Sequence, residues 1–154
     1  MFTAAAVGKI VAQNATLSAA AGGCQAEVGA AAAMAAAGLT EMRGGSAKQC
    51  INASAIALKS YMGLICDPLG GLVAVPCIKR NMLGVSVACA ASDASVAGVE
   101  SYIPFDEVVS AMKDVAKFMS YKLRETALGG LAVTKTGLRI RKKMGLNGIG
   151  KTGK

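Results

Sequence analysis

Gln25-Ala-Glu-Val-Gly-Ala-Ala-Ala-Ala-Met-Ala-Ala-Ala37 decides the fold class of this chain. Nearly every residue in it is small and apolar, and alanine enters a helix more readily than any other residue. Gly38 follows in the position of a C-terminal cap. Alanine on every side of a helix leaves no polar face for solvent, so the predicted helix is buried all round, among neighbours that pack closely.

Those neighbours can be read outward from it. Ser46-Ala-Lys-Gln49 is a capping box, in which the serine side chain takes the third helical amide and the glutamine reaches back. The helix it opens is predicted to run to about Tyr61 and to bury Cys50, Ile51, Ala55 and Leu58. Upstream, residues 3–13 form a helix with an apolar face at Ala6, Val7, Ile10 and Val11. The Gly22-Gly23 pair then places Cys24 where the next helix begins. A helix is predicted from Cys77 through Ala91, with a polar loop from Ser92 to Ser101. Pro104, Asp106 and Glu107 mark a further start, because proline suits a first turn and carboxylates oppose the positive end of the dipole. Val108, Val109, Met112, Val115, Ala116 and Met119 keep helical spacing behind it, with Lys122 and Arg124 in the last turn. Glu125-Thr-Ala-Leu-Gly-Gly130 is a turn. No strand-like alternation persists and no repeat is present, so the predicted class is all-α.

Composition narrows the chemistry. At 154 residues and 53% hydrophobic, without tryptophan, the chain is one domain or part of one, with a core of Ala, Val, Leu, Ile and Met. The net charge of +8 is local: seven Lys/Arg and no acid fall between Lys135 and Lys154, leaving ten basic against nine acidic groups elsewhere. That basic tail has no aromatic residue to stack on a base, and a solvated or partner-contacting tail is favoured over nucleic-acid binding. The absence of histidine excludes imidazole chemistry from this chain's own residues. The N-terminus lacks the basic region of a secretory signal, and charges interrupt every apolar run before about 18 residues, so no membrane span is expected. Five cysteines in such a chain suit a reducing, cytoplasmic compartment, where grouped thiols bind metal or do chemistry.

The cysteines are arranged around Cys66-Asp-Pro-Leu-Gly-Gly-Leu-Val-Ala-Val-Pro-Cys77, an irregular loop whose prolines and glycine pair interrupt regular structure and present two sulfurs. With Cys24 the pattern is C-x41-C-x10-C. Structural zinc takes close pairs with a fourth ligand, and this spacing offers neither. Three separated thiolates suit a cubane cluster with one iron open; buried, inert cysteines remain the competing reading on spacing alone.

Gly23-Cys-Gln-Ala-Glu-Val-Gly29, Ala-Met-Ala-Ala-Ala-Gly-Leu39, Gly63-Leu-Ile-Cys-Asp-Pro-Leu-Gly-Gly-Leu-Val-Ala-Val-Pro-Cys-Ile-Lys-Arg-Asn81 and Glu125-Thr-Ala-Leu-Gly-Gly-Leu-Ala132 closely resemble the alpha chain of the iron–sulfur-dependent L-serine dehydratases. The resemblance spans nearly all of residues 2–134. It implies an all-helical catalytic domain with an oxygen-sensitive 4Fe–4S cluster, held by Cys24, Cys66 and Cys77, that deaminates L-serine to pyruvate and ammonia. It implies a hetero-oligomer with a beta chain or domain that supplies the general base, and it leaves Cys50 and Cys89 as core fillers. Family alpha domains extend well upstream of the first cysteine, here preceded by 23 residues. The expectation is therefore a C-terminal portion of a larger helical domain: residues 1–134 catalytic and incomplete at the N-terminus, residues 135–154 a basic tail, with apolar helix faces exposed. The alternatives are an inactive truncated remnant of this enzyme, or a cysteine desulfidase-type lyase on the same cluster domain.

Around the cysteines each polar residue has two readings. Arg80 and Asn81, three and four positions beyond Cys77, share its helix face; Arg80 clamps a substrate carboxylate or is a surface cation, and Asn81 positions the amine. Glu27 supports the ligand Cys24 from beyond or only favours a helix start. Asp67 orients a thiolate or substrate, or makes an Asp-Pro turn. Glu125 and Thr126 line the site or end a helix. Gly70, Gly71, Gly129 and Gly130 let backbone approach the cluster or serve as plain turn residues.

Overall fold

The computed structural model describes residues 1–146; the remainder of the basic tail lies outside the described residues. Among those described, the α-helices are α1 (Phe2–Asn14), α2 (Ala19–Gly22), α3 (Ala30–Met42), α4 (Ala47–Lys59), α5 (Cys77–Val96), α6 (Phe105–Phe118) and α7 (Lys135–Lys143). A π-helical turn, Gln25–Gly29, runs straight into α3, and short 3-10 turns occupy Leu69–Gly71, Tyr121–Leu123 and Gly130–Val133. The described residues hold no strand, only one isolated parallel bridge between Cys66 and Arg124. The fold is all-α.

Helix α3 is the axis. Its alanines let α1, α4 and α5 all pack against it, and Ala33, Ala36 and Ala37 are fully buried with Val11, Leu58 and Val109 in the main core. Ser46 and Gln49 form the predicted capping box at the start of α4. Helix α6 buries Val108, Val109, Met112 and Ala116, and Met119 is buried just beyond its end, as the periodicity requires.

Several expectations are corrected. Helix α3 is not covered on every side: Ala31 and Ala35 are exposed. It also passes through Gly38 to Met42, because Gly38 packs over Ala4 of α1 and does not cap. Ile51 is 38% exposed, on the outer side of α4. The stretch after Ala91 continues as helix to Val96 because its serines are buried and paired. Ser92 Oγ meets Thr40 Oγ1 at 3.0 Å, and Ser95 Oγ donates to Gln49 O at 2.8 Å. Lys122 and Arg124 fall outside α6, which stops at Phe118. The first part of the basic tail is folded: Thr134 caps α7, whose Ile140 packs with Leu69, Ala127 and Ala132. Leu146 then lies over Gly70, in the loop between Cys66 and Cys77.

Candidate functional site

Three separate segments bring Cys24, Cys66 and Cys77 together. Cys24 stands at the mouth of the π-helical turn, where Gln25 N donates to Leu64 O at 3.0 Å and so ties the turn to the segment before Cys66. Cys66 is held by its backbone: its N–H donates to Leu123 O at 2.8 Å and its carbonyl accepts from Glu125 N at 2.9 Å. Cys77 is the first residue of α5. All three are buried.

Arg80 sits one turn along α5 from Cys77 and points back into this group. Its Nη1 donates to Asp67 Oδ1 at 2.7 Å and to Ile65 O at 3.0 Å, and lies 3.9 Å from Cys24 Sγ. The other carboxylate oxygen of Asp67 accepts from Leu131 N at 2.7 Å. With side-chain exposures of 2% for Asp67 and 18% for Arg80, this is a largely buried ion pair with both partners further hydrogen-bonded, the geometry in which such a pair holds its place. Asp67 thereby joins the cysteine loop to α5 and to the 130s turn. Gly130, with φ of +60°, lies so close that a Cβ there would come within 2.7 Å of Asp67 Cβ.

The thiols perturb one another. Hydrogen bonding with the Cys66 thiol, aided by Arg80, holds Cys24 below the ordinary cysteine value despite burial. The same hydrogen bond, followed by burial and the Cys24 charge, pushes Cys66 far up. Burial and then the Cys24 charge push Cys77 up. Of the three, Cys24 is the thiol most readily ionised, beside the Arg80 guanidinium, while burial and the neighbouring sulfurs oppose ionisation of Cys66 and Cys77.

A family model described as the serine dehydratase alpha chain matches residues 1–132. This chain belongs to the serine dehydratase alpha-chain family. It is 54% identical over 144 residues to the probable L-serine dehydratase, alpha chain, of Bacillus subtilis, covering 94% of this chain and 48% of that protein. To the L-serine dehydratase, alpha chain, of Peptoniphilus asaccharolyticus it is 51% identical, covering 91% and 48%. To the probable alpha chain of Latilactobacillus sakei it is 49% identical, covering 92% and 68%. The chain thus spans about half the length of the first two relatives.

Within this serine dehydratase alpha-chain domain the remaining predicted residues divide. Glu27 is exposed, yet near enough for its charge to act on Cys24 and Cys77. Asn81 is exposed and its Nδ2 donates back to Cys77 O at 3.0 Å. Glu125 is half-buried and its charge reaches Cys66; Thr126 Oγ1 is spent on Tyr121 O at 3.1 Å. Glu125 and Ala127 both take left-handed backbone, at φ of 64° and 55°, a conformation that costs a non-glycine residue energy and persists where surroundings enforce it. Of the four glycines, Gly130 meets Asp67 and Gly70 meets Leu146. Cys50 is buried in the main core and Cys89 is half-buried on α5.

Sequence reasoning missed Gln25. It is fully buried beside Cys24, with Nε2 donating to Met112 O at 3.2 Å and Oε1 accepting from Gly63 N at 2.8 Å. A lone amide in an apolar run was the available signal, since a buried amide must find partners. Tyr61 was missed too. It packs against the small cluster of Ala19, Cys24, Val28 and Cys66, and its hydroxyl, near Gly84, is buried without a hydrogen-bond partner among the described residues.

The donor set fits a cluster better than a single ion. Among the described residues no three Cys, Asp or Glu side chains close around one metal position, as a zinc site would require with sulfurs about 2.3 Å from one point. An iron–sulfur cluster spreads its protein ligands over different irons, and its donors are thiolates. The set here is thiols only, buried, close enough for their charges to act on one another, and faced by Arg80.

Proposed function

We propose that this chain is the cluster-holding part of an L-serine dehydratase, a lyase that converts L-serine to pyruvate and ammonia. Cys24, Cys66 and Cys77 would hold a 4Fe–4S cluster by three irons. When bound, such a cluster supplies a Lewis acid at its fourth iron for the substrate hydroxyl. The observation that carries this reading is the meeting of three buried cysteines from three segments beside Arg80.

The chain's own residues then have distinct tasks. Arg80 keeps one guanidinium nitrogen on Asp67 and Ile65, leaving the rest of the fork to orient the serine carboxylate. Asp67 is a positioning residue, fixing Arg80 and the loop. Asn81, at the open end of the same helix face, positions the amine, while Glu27 and Glu125 set the local field. Loss of the α-proton and of the hydroxyl as water gives aminoacrylate, which tautomerises to the imine and hydrolyses to pyruvate and ammonia. We assign the base that takes the proton to a beta chain or domain, since the resemblance implies a histidine-bearing partner and this chain has no histidine; the working enzyme is then a hetero-oligomer. Residues 1–134 form the proposed catalytic domain, with the basic segment from Lys135 bracing the cysteine loop through Ile140 and Leu146. Unpaired cysteines suit a reducing, cytoplasmic setting; no described helix is long and apolar enough to cross a membrane.

Anaerobic assembly with iron, sulfide and a serine dehydratase beta chain, followed by assay on L-serine and L-cysteine, tests the reading. The expected result is pyruvate from L-serine that requires both the beta chain and the reconstituted metal. Sulfide release from L-cysteine with no turnover of L-serine, or an iron-loaded assembly inert toward L-serine, would overturn it.

A further inference from the structure

Thirteen consecutive residues, 28–40, from the end of the π-helical turn through most of α3, carry no charge, yet Ala31 and Ala35 face outward. A helix that is apolar all round belongs inside a larger body. Beside it, α5 turns Ile78, Met82 and Val85 out at spacings of four and three, each more than 60% exposed, and is uncharged from Asn81 to Ser92. Between the two helices runs an open groove of about 190 Å³, lined by the buried Val28, Ala32 and Gly84 and by the exposed Ala31, Ala35 and Val85. Asn81 stands at the groove, one helical turn from Cys77, so the groove abuts the candidate site.

We propose that this face is the seat of an apolar α-helix from the part of a serine dehydratase alpha chain that this chain does not span. A groove of mostly small residues, with the exposed Ile78, Met82 and Val85 of α5 along it, is a surface into which the side-chain ridge of a third helix packs. A small polar ligand would find little purchase, since Asn81, the one amide side chain among the described residues lining the groove, already donates to Cys77 O. The length argument selects the occupant: the Bacillus subtilis and Peptoniphilus relatives each carry about as much chain again as the portion matched, and cover over this face would adjoin Asn81 and Cys77. The proposal rests on the family reading of the site and concerns its assembly. Its test is read without substrate or metal, so it stands or falls separately from the serine chemistry.

The probe is the unmatched portion of the Bacillus subtilis alpha chain, co-expressed with this chain and titrated against it. Binding is expected for the wild type and, within twofold, for Phe118→Glu, a control at an 89% exposed residue of α6. Ala31→Glu and Met82→Glu place a charge where it would be desolvated and are expected to weaken binding at least about tenfold. Peroxide oxidation of Met82 provides a reading that needs no variant: it should slow in the wild-type complex. The proposal is overturned if the wild type does not bind, if the groove variants bind as tightly as Phe118→Glu, if Met82 oxidises equally fast in the complex, or if the face is instead occupied by a second copy of this chain, seen as a dimer that Met82→Glu dissolves.

Discussion

Replacing Asp67 with alanine is expected to destabilise the metal-free chain by about 3 kcal/mol, since removal of one partner from a buried ion pair leaves the other charge uncompensated. Arg80 would lose its 2.7 Å contact and Leu131 N its acceptor in one change. For a domain of this size the loss corresponds to a fall in Tm of about 10 °C, measurable by thermal unfolding under reducing conditions. Asp67→Asn keeps an acceptor for Leu131 N but removes the charge, so it should fall between the wild type and alanine. An Asp67→Ala chain as stable as the wild type would show that the pair does not organise the loop. The substitution is also expected to release the Arg80 side chain from Cys24, from which it is 3.9 Å away, and iron retention should fall with it.

Gly130→Ala should be comparably damaging for a different reason. The backbone there is left-handed, which costs an alanine about 1 kcal/mol, and the new methyl would collide with the Asp67 carboxylate. A backbone penalty and an overpacked buried contact together predict a loss of about 3 kcal/mol. Gly63→Ala separates the two effects: its φ is +83° but nothing lies within 4 Å of the added carbon, so only the backbone cost of about 1 kcal/mol applies. Urea unfolding of both variants measures the difference. Equal losses at the two positions would mean that Gly130 serves a turn and does not protect Asp67.

The features that were legible in sequence are those written in local chemistry. The capping box at Ser46, the proline and carboxylates before α6, and the alanine run each dictate a helix through interactions within a few residues. What escaped depends on distant partners. Ser92 and Ser95 look like loop residues, and only Thr40 and Gln49, on other helices, allow them to continue α5. Gly38 looks like a cap, and only the approach of Ala4 on α1 makes it an interior residue. The tail looks like a solvated charge run because its few apolar residues, Ile140 and Leu146, matter only once the cysteine loop is there to receive them. In the candidate site the cysteine motifs were plain, and the helical spacing put Arg80 on the face of Cys77. That Arg80 is locked to Asp67, and that Gln25 and Leu131 complete the scaffold, follows from contacts across 13 to 87 positions of chain, which no local pattern encodes.

In the proposed enzyme three particular cysteines hold one cluster. Anaerobic reconstitution with iron and sulfide, followed by iron and acid-labile sulfide analysis and a visible absorption spectrum, tests it on the wild type and on five single cysteine-to-alanine variants. About four irons and four sulfides per wild-type chain are expected. That content should be lost in Cys24→Ala, Cys66→Ala and Cys77→Ala and kept in Cys50→Ala and Cys89→Ala. A wild type that retains no iron, or variants at Cys24, Cys66 and Cys77 that load as fully as those at Cys50 and Cys89, would contradict it.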